Sequence, residues 1–362
     1  MEIQKSQTHV KCLVIGQGIC GTFLSWQLHK SGISFIVIDE SRNDTASKAA
    51  AGIINPVTGR RIVKTWMIDE IIPYVLESYS LIGQDLGICC IEQKNIIDFF
   101  ATPQMRSAFL ERYAVDQQYL RKPADENKWN AHFNYDFGYG EIQPCYLADL
   151  SLLISSWRSK LIVEKAIREE KFDIDDLKVT DQQVQYREIS ADRVIFCDGI
   201  ESSHNRFFKY LPFAPNKGEA LIIEARDLPT DRIFKKGLIL VPWKKDLFWI
   251  GSSYQWEFQD SQPSEFFRTR TEIQLLQWLK MPFKIIDHLA SVRPATLERR
   301  PFVGFHPVYR NVGILNGMGT KGCSLAPFFA NQLSEHIANG KPLSGEADVQ
   351  RFARILEKTA SK

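Results

Sequence analysis

Apolar positions along the chain fall into short runs broken by glycine-marked turns. Residues 11–15 form an apolar run, residues 16–21 are glycine-rich, residues 22–30 suit a helix and residues 35–38 are apolar again. That order predicts strand, turn, helix and strand, a single βαβ unit. A second strand-like run over 193–197 ends at Asp198-Gly199, and a third over 312–315 enters another glycine-rich turn that opens an amphipathic helix over 324–337. Between these pieces, about 80–145 and about 215–290, aromatic residues are frequent and the pattern alternates; ALIIEA, LILVP and LFWIGSSY read there as antiparallel strands. The pattern predicts a discontinuous α/β domain built from residues 1–80, 146–214 and 291–362, with a β-rich antiparallel-sheet domain formed by residues 81–145 and 215–290. No internal repeat or low-complexity segment interrupts it.

Composition adds bounds rather than chemistry. With 362 residues, 44% hydrophobic and 24% charged, the chain can bury the core of two domains. A net charge of +2 supplies no global attraction for nucleic acid or an anionic membrane. Seven cysteines, several in apolar runs, read as reduced thiols of a cytoplasmic protein, although the adjacent Cys89 and Cys90 leave a redox pair open. The opening MEIQKSQTHVKCLVIG lacks a signal-peptide cleavage pattern. No stretch approaches the roughly 18 apolar residues that span a bilayer. Metal-ligand spacings, a GxSxG elbow and a Walker loop are all missing from the sequence.

The turn VIGQGICG carries the first chemistry. Gly16 permits the tight turn out of the strand, Gly18 lets a pyrophosphate approach the backbone, and Gly21 lets the helix pack closely on the sheet. Free N–H groups at the helix start then face the phosphates. An acid at the next strand end, Glu40 in FIVIDE, is placed to accept both ribose hydroxyls of an adenosine, with Asp39 the alternative if the strand ends one residue earlier. These residues predict a Rossmann-like dinucleotide site and do not separate NAD from FAD.

Two further stretches, SRNDTASKAAAGIINP after Glu40 and SVRPATLERRPFVGFHPVYRNVGILNGMGTKGCSLAPFFANQLSEHI near the C-terminus, complete a recognisable set. Together with VIGQGICG they resemble the D-amino-acid-oxidase-like FAD oxidoreductases, among them glycine oxidase and the oxidase half of the bifunctional tRNA wobble-uridine-modifying enzyme. The likeness runs through nearly the whole chain in order, and NKGEALII and ILVPWKKDLFWIGSSY fit the mid-chain pattern. It implies a FAD-binding domain and dehydrogenation of a C–N bond in a small amine or amino acid. It also implies cofactor contacts: Ser47, Lys48, Ala49, Ala50 and Ala51 as a loop of small residues beside the flavin, Gly199 close to the cofactor, and Phe172 against the adenine. Gly317, Gly319, Lys321 and Gly322 would wrap the pyrimidine end of the flavin ring, with the following helix start favouring negative charge there.

On the substrate side, the resemblance places Arg293 where glycine-oxidase-like members grip a carboxylate, a task suited to a planar guanidinium. Sarcosine-oxidase-like members have there a cysteine that tethers the flavin, so Arg293 implies noncovalent FAD. Lys321 and Tyr254 are further catalytic candidates; His306 is a weaker one, and His288 and His336 read as core or surface residues. Two departures stand out. Thr320 takes the place of an arginine found in glycine oxidase, and Trp249 stands where some members use a lysine to promote reaction with oxygen. The run PVTGRRIVKTWM sets Arg60, Arg61 and Lys64 beside Trp66, which keeps a tRNA wobble uridine open as an alternative substrate; the blander reading is a solvated turn. Oligomeric state is not legible.

Overall fold

A computed structural model describes residues 8–59 and 61–360; Arg60 of the basic run and the first seven residues, on which the leader reading partly rests, lie outside them. Strand Thr8–Ile15 sits in the middle of a parallel sheet, flanked by Phe35–Ile38 on one side and Ile189–Phe196 on the other. Ile167–Arg168 extends it beyond Phe35–Ile38, and Val312–Asn316 extends it beyond Ile189–Phe196, both in parallel. All four residues of Phe35–Ile38 are buried, as expected when a parallel sheet is covered on both faces. Successive side chains divide between those faces. Cys12 and Val14 pack with Phe23, Trp26 and Phe329, whereas Leu13 and Ile15 pack with Phe196 and Phe208. Helices Ile19–Lys30 and Gly322–Asn339 supply the first of these layers. The sheet's remaining edge turns antiparallel through Val184–Tyr186 and Leu177–Val179, while Phe302–Phe305 pairs antiparallel with Val312–Asn316.

Because the central strands run the same way, the turns after Ile15, Phe196 and Asn316 emerge along one edge, where doubly wound sheets bind ligands. The first helix begins at Ile19 rather than at residue 22. Its opening turn is therefore built from the glycine motif itself, with Gly18 as a cap that offers no side chain.

The second large sheet runs in the order Lys284–Arg293, Asn216–Glu224, Leu247–Gly251, Leu238–Lys244, Ile233–Lys236, Ile96–Phe99, Tyr139–Ile142 and Leu120–Arg121. Its neighbours are antiparallel with one exception: Ile233–Lys236 lies parallel to Ile96–Phe99, where the two inserted stretches meet. One face is filled by aromatic side chains, among them Phe99, Phe133, Phe234 and Trp278. Residues 80–145 are less purely β than their alternation suggests. They contain helix Pro103–Val115, which starts with proline in its first turn and a Thr102 hydroxyl accepting from the Met105 N–H. A three-stranded sheet of Ile53–Ile54, Tyr146–Ala148 and Ile91–Gln93 bridges the two layers of chain. Among the described residues, no helix is long and apolar enough to cross a membrane. All seven cysteines are free thiols, and only Cys89 is exposed.

Candidate functional site

The N-terminal turn is closed to side chains at two of its three glycines. Gly16 has φ +93°, and a Cβ there would stand 2.7 Å from the Cys197 carbonyl oxygen. At Gly21 a Cβ would meet the Gly16 carbonyl oxygen at 1.9 Å, so helix and turn touch through backbone alone. Gly18 is different, since only Ser47 lies nearby, 3.0 Å from a Cβ position. The Ser47 hydroxyl accepts the Ile19 N–H at 3.0 Å, which occupies one free donor at the helix start.

The two acids at the end of Phe35–Ile38 have different surroundings. Asp39 is saturated: one carboxylate oxygen accepts the Gln17 N–H at 2.8 Å, and the other accepts from the Ser41 N–H at 2.8 Å and Arg158 at 2.7 Å. Arg158, from helix Leu150–Val163, also pairs with Glu169. Glu40 is exposed and makes no hydrogen bond or ion pair among the described residues.

The other two strand ends are tied together by Asn316. Its amide donates to the Gly199 carbonyl at 2.7 Å and to the Ser202 hydroxyl at 3.0 Å, and its carbonyl accepts the Gly317 N–H at 2.8 Å. Ser202 in turn donates to the Asp198 carboxylate. Burial pushes the Asp198 carboxyl up to about 7. Gly199 has φ +63° and open space where a Cβ would lie. Beyond Asn316, Gly317 and Gly319 have φ of +77° and +56°, conformations that favour glycine. Gly322 begins helix Gly322–Asn339, and a Cβ there would stand 3.2 Å from the Ile19 side chain, so the two helix starts lie side by side. The Lys321 ammonium donates to Asn55 at 2.7 Å. Its stem is half-buried but its charged end is enclosed, and burial pushes its pKa down to about 8 despite the neighbouring thiols Cys145 and Cys323.

The second sheet brings Arg293 to the same edge. The Arg293 guanidinium lies across Gly218, where a Cβ would fall 1.8 Å from Nη2. It donates to the Asn216 side chain at 2.7 Å and to the Ser253 carbonyl at 3.2 Å, and the Tyr254 ring lies 4.7 Å away. No carboxylate among the described residues pairs with it. Lys217 and Glu219 alternate to the reverse face, where the Glu219 carboxylate accepts from Ser264 and pairs with His288 at 3.0 Å. Just past Arg293, the Pro294 carbonyl accepts the Gly319 N–H at 3.2 Å, joining the arginine's strand to the late glycine turn. Trp249 donates to the Ala49 carbonyl at 3.0 Å and so joins the same sheet to the small-residue loop.

The structure thus gathers Gly16, Gly18, Gly21, Ser47, Gly199, Gly317, Gly319, Lys321 and Gly322 along one edge, to which the strand of Arg293 is tied by the Pro294–Gly319 hydrogen bond, with the Tyr254 ring against the Arg293 guanidinium. Ala49 is held there by Trp249, and Ala50 packs partly against the core. Phe172 is half-buried and packs on Tyr186 and Phe196. His306 is elsewhere: it follows Phe302–Phe305 at the opposite end of the parallel strands and is 2% exposed. In the basic run, Lys64 pairs with Asp69, and Trp66 stacks on Phe329 beneath Arg300. Asn216, Asn316, Asn55 and Arg158 were not singled out from sequence. Asn216 opens NKGEALII and Asn316 lies within LNGMGTKG, and that membership was the available signal.

A parallel sheet with glycine turns at three strand ends, and a second sheet laying an unpaired cation against the third, defines a nucleotide-dependent α/β enzyme. The chain belongs to the FAD dependent oxidoreductase family, whose model matches residues 11–336. It is 19% identical to glycine oxidase of Pseudomonas aeruginosa, covering 95% of this chain and 99% of that protein. Its fold matches glycine oxidase of Bacillus cereus with a TM-score of 0.78 at 16% identity, over 92% of this chain and 96% of the other. L-proline dehydrogenase of P. horikoshii matches with a TM-score of 0.75 at 15% identity, over 96% and 98% of the two chains. The cofactor is FAD, and the open backbone at Gly18 and Gly199, the paired helix starts and the unpartnered Glu40 form a cradle that fits it.

Proposed function

We propose that this chain dehydrogenates the C–N bond of an amino acid or N-substituted amino acid, using noncovalently bound FAD. The adenosine end lies at Glu40, whose free carboxylate accepts the ribose hydroxyls, and the pyrophosphate lies over Gly18 and the start of Ile19–Lys30. Phe172 remains the proposed adenine neighbour. Gly199, Gly317, Gly319 and Gly322 give the flavin end backbone to lie against, with Lys321 placing positive charge beside it. Bound FAD supplies a hydride acceptor at N5 of its ring.

The observation that carries the substrate class is the environment of Arg293. A half-buried guanidinium held only by neutral acceptors retains charge and N–H donors for an incoming anion. A substrate carboxylate held there fixes the amino acid so that its α-C–H faces the flavin, and Tyr254 covers the outer side. The reaction then needs a neutral amine, placement and exclusion of water. Trp249, bonded to Ala49, ties the substrate sheet to the small-residue loop beside the proposed site. A tRNA wobble uridine would call for free basic surface along residues 61–66, but Lys64 and Trp66 are already engaged there, which favours the small-molecule reading.

The test is anaerobic reduction of the yellow protein by a panel of amino acids and N-alkyl glycines, followed by air. Carboxylate-bearing amines should bleach the visible absorbance, and their decarboxylated analogues should fail to do so. The rate of recolouring in air separates an oxidase from a dehydrogenase. If decarboxylated amines bleach as well as the parent acids, the Arg293 assignment is wrong.

A further inference from the structure

A cavity of about 300 Å³ opens at the end of the parallel sheet opposite to the cofactor turns, between Arg193, Phe305, His306, Arg310 and the end of helix Gly322–Asn339 at Ile337. His336, on its wall, lies fourteen residues beyond Gly322 in that helix, which sets the cavity roughly 20 Å from the late glycine turn. It is therefore separate from the proposed substrate site at Arg293.

Of its polar side chains, Gln350 donates to the Phe305 carbonyl at 2.7 Å and His336 Nδ1 lies 2.7 Å from the Lys341 carbonyl, while Arg193, Arg310 and His306 keep donors without protein acceptors among the described residues. Arg193, half-buried on strand Ile189–Phe196, makes no hydrogen bond or ion pair among the described residues; its guanidinium faces the Phe305 ring at 5.7 Å. The carboxylate next to it in sequence, Asp192, is taken by His9 at 3.1 Å and Lys11 at 2.9 Å. Arg310, exposed on the turn leading into Val312–Asn316, is likewise unpaired among the described residues. His306 is buried, and its Nδ1 accepts the N–H groups of Val308 at 3.1 Å and Tyr309 at 3.2 Å. That fixes the proton on Nε2, which has no protein partner among the described residues and belongs to a side chain lining the cavity. Burial holds this imidazole down to about 4, so it stays a neutral donor through the physiological range. Phe305, Pro307 and Ile337 supply an apolar wall.

We propose that this cavity binds the phosphoryl group of a small phosphate monoester with an aromatic or heterocyclic body. Two arginines match a dianion better than a single carboxylate, and the guanidinium fork suits its oxygens. The neutral Nε2–H of His306 adds a donor at the enclosed end. The volume exceeds that of phosphate alone, and the apolar wall accommodates the rest of the molecule.

The test uses FAD-saturated protein, so that the cofactor site is filled, with calorimetric titration and thermal shift for inorganic phosphate, phenyl phosphate and benzoate. Phenyl phosphate should bind saturably and at least about tenfold more tightly than inorganic phosphate or benzoate. Arg193→Gln and, separately, the exposed Arg310→Gln should each weaken it by about tenfold or more, while the flavin spectrum and amine turnover without phosphate ester stay unchanged. Should phenyl phosphate fail to saturate, bind no better than benzoate, or bind the Arg310→Gln protein unchanged, the proposal is overturned. None of these outcomes depends on the identity of the amine substrate.

Discussion

Arg293 rests its guanidinium directly across Gly218, in space that any side chain at position 218 would take. The two are neighbours across paired strands, with Asn216 opposite Arg293 in register and bonded to it. Gly218→Ala should therefore displace the guanidinium while leaving its charge in the chain. For carboxylate-bearing substrates, KM should rise and kcat/KM fall by about 10- to 100-fold, the range expected for losing a charge-assisted hydrogen bond. Arg293→Ala should give a similar loss. Steady-state kinetics with matched pairs of amino acids and their decarboxylated amines checks the assignment; equal losses for both members of a pair would assign Gly218 a general structural role.

Gly21 presents the opposite situation, a glycine required by backbone rather than by a side chain. With the Gly16 carbonyl 1.9 Å from a Cβ at position 21, Gly21→Ala cannot keep both the turn and the helix where they are. Overpacking of this kind costs about 1–3 kcal/mol. Since the same turn is the proposed pyrophosphate seat, FAD affinity should drop at least about tenfold. Purification without added FAD, followed by absorbance and fluorescence titration, reads this directly; a variant as yellow as the parent would disconnect the turn from the cofactor.

These two glycines also show what could be read in the sequence. Gly16, Gly18 and Gly21 are legible because they fall within six residues of one another, between apolar runs that announce the strands before and after them. The contacts that complete the site join distant positions. Lys321 meets Asn55 across 266 residues, Arg158 meets Asp39 across 119, and Asn316 meets Gly199 across 117. Each joins polar residues whose local surroundings look like ordinary turns or helix surface. The parallel pairing of Ile233–Lys236 with Ile96–Phe99 was hidden for the same reason, since alternation predicts a strand without naming its partner. His306, a weaker candidate from sequence, stands away from Arg293 because the chain between them runs to the opposite end of the sheet through Phe302–Phe305.

Asp39 and Glu40 should respond differently to loss of charge. Glu40 is unpartnered, and Glu40→Gln removes only what it offers a ligand; FAD should bind about 10- to 100-fold more weakly while the FAD-free protein melts as before. Asp39 holds the Gln17 N–H and Arg158, so Asp39→Asn should lower the melting temperature of the FAD-free protein as well. Paired fluorescence titrations and melts separate the roles. If the two variants behaved alike, Asp39 would share the ribose and the division drawn here would fail.

Asp198 makes stability depend on pH in a direction opposite to most carboxylates. Its pKa rises from an ordinary 3.8 to about 7 because folding buries it, with the Ser202 hydroxyl opposing that rise only in part. The folded chain therefore binds its proton more tightly than the unfolded chain. The stability this contributes is fully present below about pH 4, is lost progressively as the pH climbs through 7, and changes no further above that, for a total of about 4 kcal/mol. Asp198→Asn removes the linkage and leaves a side chain that still accepts from Ser202. Measured by urea unfolding of the FAD-saturated proteins, the variant's stability relative to wild type should improve by about 2 kcal/mol between roughly pH 5.5 and pH 8, and level off beyond. A difference that stays constant across this window would mean that Asp198 ionises in the usual carboxylate range and that Asn316 and Ser202 stabilise its charge despite burial.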